Sequence, residues 1–298
     1  MINKIFRVVK KINNLVQSKK LNKQLINERK SYFQNGKIPW STGYLEYKLE
    51  KIKESINDEE LLRQLRKNQM PEGYGHRIDE RVIEYPWIFS NLPKGNLKML
   101  DAGSTFNFDY IVNHDKVVDK DLTIYTYAPE SKSYNDKKIS YVYGDLRDLP
   151  FKDNLFDIIV SHSTIEHIDM DNSMYGYEIS HNENIKEKSF SYLLAVGEMI
   201  RTLKHNGKLF LTFPFGKFEN HGFFQQFDDE MLGKITELFG DETNYDLTFF
   251  KYENDGWGFS TQSELKNEES FNPHTGKGKK DDNAAHSRGI ACVSFVKN

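Results

Sequence analysis

The sequence predicts an α/β fold whose central sheet is mostly parallel, with helices on both faces. From residue 97 onward, short apolar runs typical of strands alternate with longer stretches of helical spacing. Strands that alternate with helices in this way form βαβ units, which give a parallel sheet covered on both sides. Two later strand-like runs, over 245–260 and 289–298, have no good helix between them. An antiparallel edge pair is therefore expected at the C-terminus.

Composition and charge indicate a folded protein suited to a reducing compartment. The chain has 298 residues, of which 38% are hydrophobic and 13% aromatic, enough to bury a core. The formal net charge of −3 argues against a dedicated nucleic-acid-binding protein. Cys292 is the single cysteine, which excludes an internal disulfide framework and any zinc site built from several cysteines. No apolar run reaches the roughly 18 to 20 residues of a membrane span. No signal peptide is recognisable, so we expect a cytoplasmic protein.

Residues 1–69 are expected to form an N-terminal helical arm attached to a domain over 70–298. Residues 1–30 contain nine Lys or Arg and one acid. Apolar residues recur in this stretch at helical spacing, namely Ile5, Val9, Ile12 and Val16. Two interpretations are open: the helix packs on its own domain or on a partner subunit of a homo-oligomer, or it lies on an anionic membrane surface. The arm is expected to be dispensable for the fold of the domain.

The remaining elements follow in chain order. A second helix of the arm is predicted over 44–68. Asp79 suits the N-cap of the next helix, which ends near Pro93 and Gly95. A later helix is expected over 190–207, with Gly207 at the position past a helix where glycine is favoured. Strands are predicted over 97–104, 122–130, 139–145, 156–163 and 207–216.

Polar residues suited to binding or catalysis lie at the ends of the predicted strands. These are Asp101-Ala102-Gly103, Thr126, Asp145 and the segment 161–167. In an open parallel sheet, ligands bind at the carboxyl ends of the strands, so these residues should share one rim. Gly103 would let the backbone approach a ligand closely, and Asp145 would accept a hydrogen bond from an exocyclic amine such as that of adenine. Each residue alone also has a purely structural explanation, because Asp is common in turns after strands.

The order of these motifs resembles a known family. "MLDAGS" (99–104), "YGDLRDLPFKDNLFDIIVSHSTIEHI" (143–168) and "EMIRTLKHNGKLFLTFPFG" (198–216) stand in the order seen in class I S-adenosylmethionine-dependent methyltransferases with a methyltransferase 11 type domain. The resemblance spans about residues 95–215 and implies a Rossmann-like sheet with S-adenosylmethionine as cofactor. Further segments of the sequence resemble bacterial methyltransferase-like proteins associated with surface-polysaccharide synthesis, including "DERVIEYPW", "STIEHIDMDN" and "AAHSRGIACVSF".

The resemblance also implies which residues bind the cofactor, and it shows two departures. The implied positions are Asp101, Gly103, Ser104, Thr126, Asp145, Leu146 and Ser161. The first turn reads "GSTFNF" where the family usually has Gly-x-Gly, so Ser104 or Asn107 would supply polar contacts. Thr126 stands where the family has an acid that takes both ribose hydroxyls, which would cost ~1–3 kcal/mol without compensation. Glu130, one helical turn further along, would be close enough to help.

The Glu166-His167 pair is the candidate catalytic group. Methyl transfer is an in-line displacement in which the protein aligns the acceptor, and a hydroxyl acceptor benefits from a histidine base. His167 and Glu166 follow the fourth strand, where the acceptor should meet the methyl group. The alternative is that His167 orients the loop. His162 is expected to contribute to the cofactor pocket or to packing.

Other residues are weaker candidates for the acceptor side. His221, Arg77 and Arg81 would line it, and Trp257 with Phe259 would either stack on a sugar ring or belong to the core. The acids of "EHIDMDN" (166–172) have oxygens that suit a magnesium ion, but such acids equally cap loops, and no metal site is predicted.

Three functions follow from this pattern. The leading one is an enzyme that methylates an oxygen of a saccharide or related small molecule in surface-glycan synthesis. The alternative is a catalytically inactive binding module of the same fold in a glycan-assembly complex, which the "GSTFNF" turn and Thr126 favour. A nicotinamide-dependent oxidoreductase would need a Gly-x-Gly-x-x-Gly turn, which the chain lacks.

Overall fold

The fold was derived from a computed structural model, which describes residues 23–173, 187–253 and 255–298. The helix expected around Ile5, Val9, Ile12 and Val16 therefore lies outside the described residues.

In the described residues, eight strands form one sheet and two more form a separate hairpin. In chain order the strands are β1 (Lys98–Ala102), β2 (Asp121–Thr126), β3 (Ile139–Tyr143), β4 (Phe156–His162), β5 (Leu203–Pro214), β6 (Glu219–Asn220), β7 (Gln225–Gln226), β8 (Tyr245–Glu253), β9 (Gly256–Ser260) and β10 (Gly289–Val296). The order across the sheet is β3-β2-β1-β4-β5-β10-β8-β9, and β6 pairs only with β7. Strands β1 to β5 are parallel, which confirms the predicted mostly parallel sheet.

The C-terminal strands are antiparallel as predicted, but their number and order differ. The run 245–260 folds as two strands, β8 and β9, which form a hairpin at the edge of the sheet. β10 lies inside the sheet and pairs antiparallel with both β5 and β8. Turn residues near Gly256, which has a φ of 125°, divide what the sequence suggested was one strand.

Helices cover both faces of the sheet. They are α1 (23–34), α2 (Tyr44–Asn57), α3 (Glu59–Leu65), α4 (Arg81–Asn91), α5 (Asp109–Val112), α6 (Tyr192–Thr202), α7 (Asp229–Phe239) and α8 (Gln262–Leu265). Neighbouring strand residues point to opposite faces, so Met99 packs in one hydrophobic cluster and Leu100 in another. The first cluster contains side chains of α2, α3 and α4, and the second contains those of α6 and α7.

The helix predicted over 44–68 is interrupted at Asp58. The Asp58 carboxylate accepts hydrogen bonds from the backbone N–H groups of Glu60 and Leu61, both at 3.0 Å, and so caps a second helix. The following helix begins at Arg81 rather than directly after Asp79. The Asp79 carboxylate still accepts a hydrogen bond from the backbone N–H of Arg81 at 3.2 Å. Its other oxygen accepts one from Tyr44 at 2.8 Å and pairs with Lys48 at 2.6 Å.

The prediction for Gly207 is wrong. Helix α6 ends at Thr202, and β5 begins at the next residue because Leu203 already pairs with Phe156 of β4. Gly207 lies within β5, where a Cβ atom would come within 2.8 Å of the Lys204 carbonyl oxygen. Close approach of the backbone, rather than a helix end, accounts for this glycine.

The described part of the N-terminal arm packs into the core of the domain. Ile52 of α2 and Leu62 of α3 are buried in the same cluster as Ile83 and Ile88 of α4. The boundary at residue 69 and the dispensability of the arm remain predictions. Among the helices of the described ranges, none has the length and apolar character needed to cross a membrane.

Candidate active site

A cleft of about 350 Å³ lies at the carboxyl ends of β1 to β4, where an open parallel sheet binds its ligands. Asp145, after β3, and His167, after β4, both line it. The shared cleft expected from the sequence is therefore present. The two strands are not adjacent, however, because β2 and β1 lie between β3 and β4. The cleft spans four strand ends instead of two.

The turn after β1 brings the backbone to the floor of the cleft. Gly103 has a φ of 132°, and a Cβ atom there would lie 2.1 Å from the Thr164 hydroxyl oxygen. Any side chain would therefore collide with the segment after β4. The missing side chain therefore lets the loop after β4 pack closely against the turn after β1, and Gly103 and Thr164 both line the cleft.

Asp101 holds this turn from behind. Its carboxylate accepts hydrogen bonds from the backbone N–H groups of Thr105 at 3.1 Å and Phe106 at 2.8 Å. Burial raises the pKa of Asp101 to about 7, although these hydrogen bonds oppose the rise. Because it is fully buried and does not line the cleft, Asp101 shapes the turn from the side away from a ligand.

Two serines expected at the cofactor also lie behind the wall of the cleft. Ser104, in a left-handed conformation with a φ of 61°, and Ser161 of β4 are both buried. Neither hydroxyl makes a hydrogen bond with the described residues, and neither residue lines the cleft. Of the seven cofactor positions implied by the resemblance, the structure brings Gly103, Thr126, Asp145 and Leu146 to the cleft.

The end of β2 presents a hydroxyl and, four residues later, a carboxylate. Thr126 and Glu130 both line the cleft. The side-chain amide of Asn107 donates a hydrogen bond of 2.8 Å to Oε2 of Glu130. Asn107 lies in the turn after β1, so this contact joins the loops that follow β1 and β2. Asn107 was expected to make a polar contact at the cofactor, and in the structure its side chain contacts Glu130.

The Asp145 carboxylate is already engaged by a neighbour. It accepts hydrogen bonds from the backbone N–H of Arg147 at 2.9 Å and from its guanidinium at 2.6 to 3.0 Å. Burial alone would raise the pKa of Asp145, but these bonds hold it below its usual value. The carboxylate therefore stays ionised at the rim of the cleft, with its orientation set by Arg147.

His167 faces the cleft with a fixed ring orientation. Its Nδ1 atom lies 2.7 Å from the Phe223 carbonyl oxygen, which can only accept, so Nδ1 carries the proton and Nε2 the lone pair. Burial, with a contribution from the positive charge of Arg81, lowers the pKa of His167 to about 4. The ring is therefore neutral at physiological pH.

Glu166 lies beside His167 but behind the wall. Its Oε1 atom is 3.9 Å from Nε2 of His167, and its side chain is 3% exposed. Burial raises the pKa of Glu166 to about 8, against the opposing charge of Arg81. Its other oxygen, Oε2, has no hydrogen-bond partner among the described residues. Glu166 is thus an uncharged carboxyl next to the candidate base at neutral pH.

A buried group behind the cleft was not foreseen from the sequence. Glu84 of α4 is fully buried and accepts hydrogen bonds from Ser163 at 2.5 Å and from His162 at 3.0 Å. Arg81, one turn earlier on α4, lines the cleft and pairs with Glu84 at 3.3 Å. Ser163 has a φ of 41°, a strained conformation for this residue, so its bond to Glu84 helps to fix the start of the loop that carries His167.

Most of the weaker acceptor-side candidates lie elsewhere. The His221 ring is buried and stacks on Phe224 with ring centres 4.6 Å apart. Trp257 donates a hydrogen bond of 2.9 Å to the Ile78 carbonyl oxygen and belongs to the core. Phe259 packs against the core, and Arg77 bonds to the carbonyl oxygen of residue 36. Of these candidates only Arg81 lines the cleft.

The acids after β4 do not form a metal centre in the part of the chain that the structure describes. No group of three or more His, Cys, Asp or Glu side chains is arranged there to hold a metal ion. Asp169, which lines the cleft, instead accepts a hydrogen bond from the Ser189 hydroxyl at 2.8 Å.

Comparisons with known proteins agree with the motifs. A family model described as "Methyltransferase domain" matches residues 102–180. No curated protein sequence matches the chain. Similar solved structures include a putative sarcosine dimethylglycine methyltransferase from Galdieria sulphuraria, with 14% identity over 70% of this chain and 81% of that chain and a TM-score of 0.43. A Burkholderia thailandensis 1,6-didemethyltoxoflavin-N1-methyltransferase, solved with S-adenosylhomocysteine, has 10% identity over 68% of this chain and 72% of that chain, with a TM-score of 0.36.

Apart from Arg81, the residues that line the cleft all lie within the stretch that the family model matches, from the turn after β1 to the loop after β4. Gly103 brings backbone to the cleft after β1, Thr126 ends β2 and Asp145 follows β3. The chain therefore contains a methyltransferase domain over residues 102–180, with S-adenosylmethionine as its cofactor.

Proposed function

We propose that this methyltransferase acts on an oxygen of a saccharide or related small molecule in surface-glycan synthesis. The observation that carries the proposal is the position of a neutral His167 in the same cleft as Gly103 and Asp145. A hydroxyl is a weak nucleophile that gains from a nearby base, whereas a thiolate or an amine needs one less. A histidine with its lone pair at Nε2 suits that acceptor.

The cofactor would be held on the β1 to β3 side of the cleft. Gly103 would lie beneath the methionine part, and Asp145 would accept a hydrogen bond from the adenine amine. When bound, S-adenosylmethionine supplies an activated methyl group on a sulfonium. Arg147 would keep the Asp145 carboxylate ionised and oriented, which favours its acceptor role.

His167 and its neighbours would handle the proton of the acceptor hydroxyl. Nε2 of His167 would accept that proton while the Phe223 carbonyl oxygen holds Nδ1–H. The low pKa of His167, near 4, makes it a weak base, so its contribution is greatest if proton transfer accompanies methyl transfer. Glu166, neutral below its pKa of about 8, would place no negative charge beside the cofactor.

The acceptor would meet polar groups on the β4 side. Arg81 and Asn172 line the cleft near His167. The Arg81 guanidinium offers hydrogen-bond donors, whereas the Asn172 amide nitrogen already donates to the carbonyl oxygens of His167 and Met170, so Asn172 would offer its Oδ1 as an acceptor. Several donors and acceptors around one cleft suit a hydroxyl-rich molecule such as a saccharide. This is the support for the substrate class, which also draws on the resemblance to surface-polysaccharide methyltransferase-like proteins.

A second function is a binding module that has lost catalysis. The observation in its favour is the neutral Thr126 at the strand end where the family has an acid. Such a module would bind S-adenosylmethionine poorly or not at all and would act in a glycan-assembly complex through its surface.

The proposed location is the cytoplasmic face of a membrane. Six basic residues and no acid occur in residues 1–22. Large apolar side chains that are exposed cluster in the adjoining segment, namely Ile26, Phe33, Ile38, Trp40, Leu45 and Leu49. Basic and apolar residues together favour contact with anionic lipid, and the same apolar residues would alternatively serve a homo-oligomer.

Calorimetry with S-adenosylmethionine and S-adenosylhomocysteine tests the first step. Binding by the purified chain, followed by S-adenosylhomocysteine release with a panel of cytoplasmic sugar nucleotides and lipid-linked saccharides, would support the enzyme. Cofactor binding without turnover on saccharides, but with turnover on amine acceptors, would contradict the proposed acceptor. No binding at millimolar cofactor would favour the binding module.

A further inference from the structure

The carboxylate that the family places at the end of β2 has a counterpart elsewhere in this chain. Two vicinal ribose hydroxyls are two hydrogen-bond donors, and a carboxylate accepts both, whereas a threonine hydroxyl cannot match that geometry. Thr126 occupies the strand end. Three carboxylates line the cleft within the described residues, and they belong to Glu130, Asp145 and Asp169.

Two of these three carboxylates have other roles in the proposed site, because Asp145 would accept from the adenine amine and Asp169 lies on the acceptor side. Asp145 is engaged by the guanidinium and backbone N–H of Arg147. Asp169 follows β4, on the acceptor side, and bonds to Ser189 at 2.8 Å. Glu130 is the remaining one, and it lies in the loop directly after β2.

Glu130 is also oriented by a buried residue. Asn107 is 3% exposed, and its amide nitrogen donates to Oε2 of Glu130 at 2.8 Å and to the Lys132 carbonyl oxygen at 3.1 Å. The other end of the amide, Oδ1, accepts a hydrogen bond from Tyr141 of β3 at 3.1 Å. Both ends of Asn107 are therefore fixed, which leaves Glu130 preorganised with Oε1 available in the cleft.

The electrostatics are consistent with this position. Burial is the main reason that the pKa of Asp101 rises to about 7, and the negative charge of Glu130 adds to the rise. Glu130 is thus close enough to the turn after β1 to influence a residue beneath Gly103.

We propose that Glu130, held by Asn107, accepts the ribose hydroxyls of S-adenosylmethionine in place of an acid at the end of β2. The inference rests on the cofactor and not on the saccharide acceptor. It explains how the chain keeps a cofactor site despite Thr126. It also gives a role to Asn107 of the "GSTFNF" segment, because this residue orients Glu130.

Calorimetry with two ligands tests the inference on the full chain. The ligands are S-adenosylhomocysteine and its 2′,3′-dideoxy analogue, and the variants are Glu130→Gln and the matched control Thr126→Val. Glu130→Gln should weaken binding of S-adenosylhomocysteine by about 10- to 100-fold, the usual effect of losing hydrogen bonds to a charged group. The same variant should bind the dideoxy analogue as well as the wild type does. Thr126→Val should keep the wild-type preference for the hydroxylated ligand.

Several outcomes would overturn it. Glu130→Gln that binds S-adenosylhomocysteine like the wild type, or that loses affinity equally for both ligands, would rule out a contact with the ribose. Loss of the preference in Thr126→Val instead would assign the contact to Thr126. Because Glu130 is exposed, its substitution should leave the thermal midpoint unchanged, which circular dichroism checks. If the wild type binds neither ligand, the chain has no cofactor site and the inference is wrong. If it binds the ligands but methylates no saccharide, the inference still holds.

Discussion

The Nδ1 atom of His167 lies 2.7 Å from the carbonyl oxygen of Phe223, so the loop after β4 is tied to the β6–β7 hairpin at the cleft. A backbone carbonyl only accepts, which fixes the proton on Nδ1 and the lone pair on Nε2. A side chain without an N–H or O–H donor could not make this contact. It makes His167 both a chemical group and a link between two loops, and the two roles predict different results on substitution.

Replacing His167 should separate catalysis from cofactor binding. If His167 is the base, His167→Ala should lower turnover by about 10²- to 10⁴-fold and change the affinity for S-adenosylhomocysteine little. Because burial lowers the pKa of His167 to about 4, the turnover rate of the wild type should not change with the pH around 6.5, where an ordinary histidine titrates. Steady-state rates from pH 5 to pH 9 measure both effects, with the exposed His205→Ala as the control. A structural role would instead lower stability and cofactor affinity together.

The Glu166 carboxyl should make the protein less stable as the pH rises. Burial raises its pKa from 4.5 to about 8, so between these values the folded protein holds a proton that the unfolded chain has released. The native state then binds more protons, and the free energy of unfolding falls with increasing pH. Glu166→Gln should gain stability relative to the wild type from pH 5 to pH 8.5 in urea unfolding. The control is Glu237→Gln, whose side chain is 65% exposed, and equal pH slopes for wild type and Glu166→Gln would contradict the prediction.

Removing the Asp145 carboxylate should weaken cofactor binding. We expect Asp145→Ala to cost about 1–3 kcal/mol in the binding free energy of S-adenosylmethionine, as for other lost hydrogen bonds to a charged group. The carboxylate is only partly buried and already paired with Arg147, so the thermal midpoint should change less. Calorimetry measures the first quantity and a thermal melt the second. Unchanged affinity would show that the adenine amine bonds elsewhere.

A chain that begins at Met70 should fold poorly. It would leave Ile83 and Ile88 of α4 without Ile52, Leu61 and other side chains of α2 and α3 that bury them. Exposing this apolar surface costs more than a domain's usual margin of stability. We therefore expect insolubility or a melt without cooperativity, contrary to the dispensable arm expected from the sequence. A chain that begins at residue 23 keeps all the described packing and is the control. A soluble, cooperative fragment 70–298 would restore the original expectation.

The N-terminal residues should bring the protein to anionic lipid. The full chain should co-sediment with phosphatidylglycerol vesicles at low salt and less so as salt screens the attraction. A chain without residues 1–22 should lose most of this binding, because six basic residues are removed. Vesicles of phosphatidylcholine alone serve as the control. Absence of binding at low salt, with a dimer in sedimentation velocity, would favour the partner-subunit interpretation.

Local patterns predicted the strands and the residues at their ends. Gly103, Thr126 and Asp145 stand after short apolar runs, and the structure brings all three to the cleft. Helix α7 carried the same kind of signal, with Asp228 as an N-cap and apolar residues at helical spacing, but it was not predicted. Strand order is different, because β3 and β4 are consecutive in sequence yet separated by two strands in the sheet. Crossover connections, not local propensity, determine that order.

The network around Glu84 had no local signal. Glu84 follows Arg81 by one turn and reads as an exposed pair on a helix surface. Its partners His162 and Ser163 are 78 and 79 residues away along the chain. A buried carboxylate becomes recognisable only when tertiary packing shows that water is absent and hydrogen-bond donors are present. For the same reason, the fixed proton on His167 could not be read from the sequence.

The interior position of β10 has a consequence for how the protein is made. Val293 of β10 pairs with Leu211 of β5 on one side and Leu247 of β8 on the other. Until β10 leaves the ribosome, the five parallel strands and the β8–β9 hairpin are two separate pieces, and each has an open edge towards the gap. Open edges readily pair with other chains, and contacts between distant residues form slowly. The nascent protein therefore passes through a stage in which its cleft-bearing strands already exist but its sheet is not joined, and chaperones would be most useful at that stage.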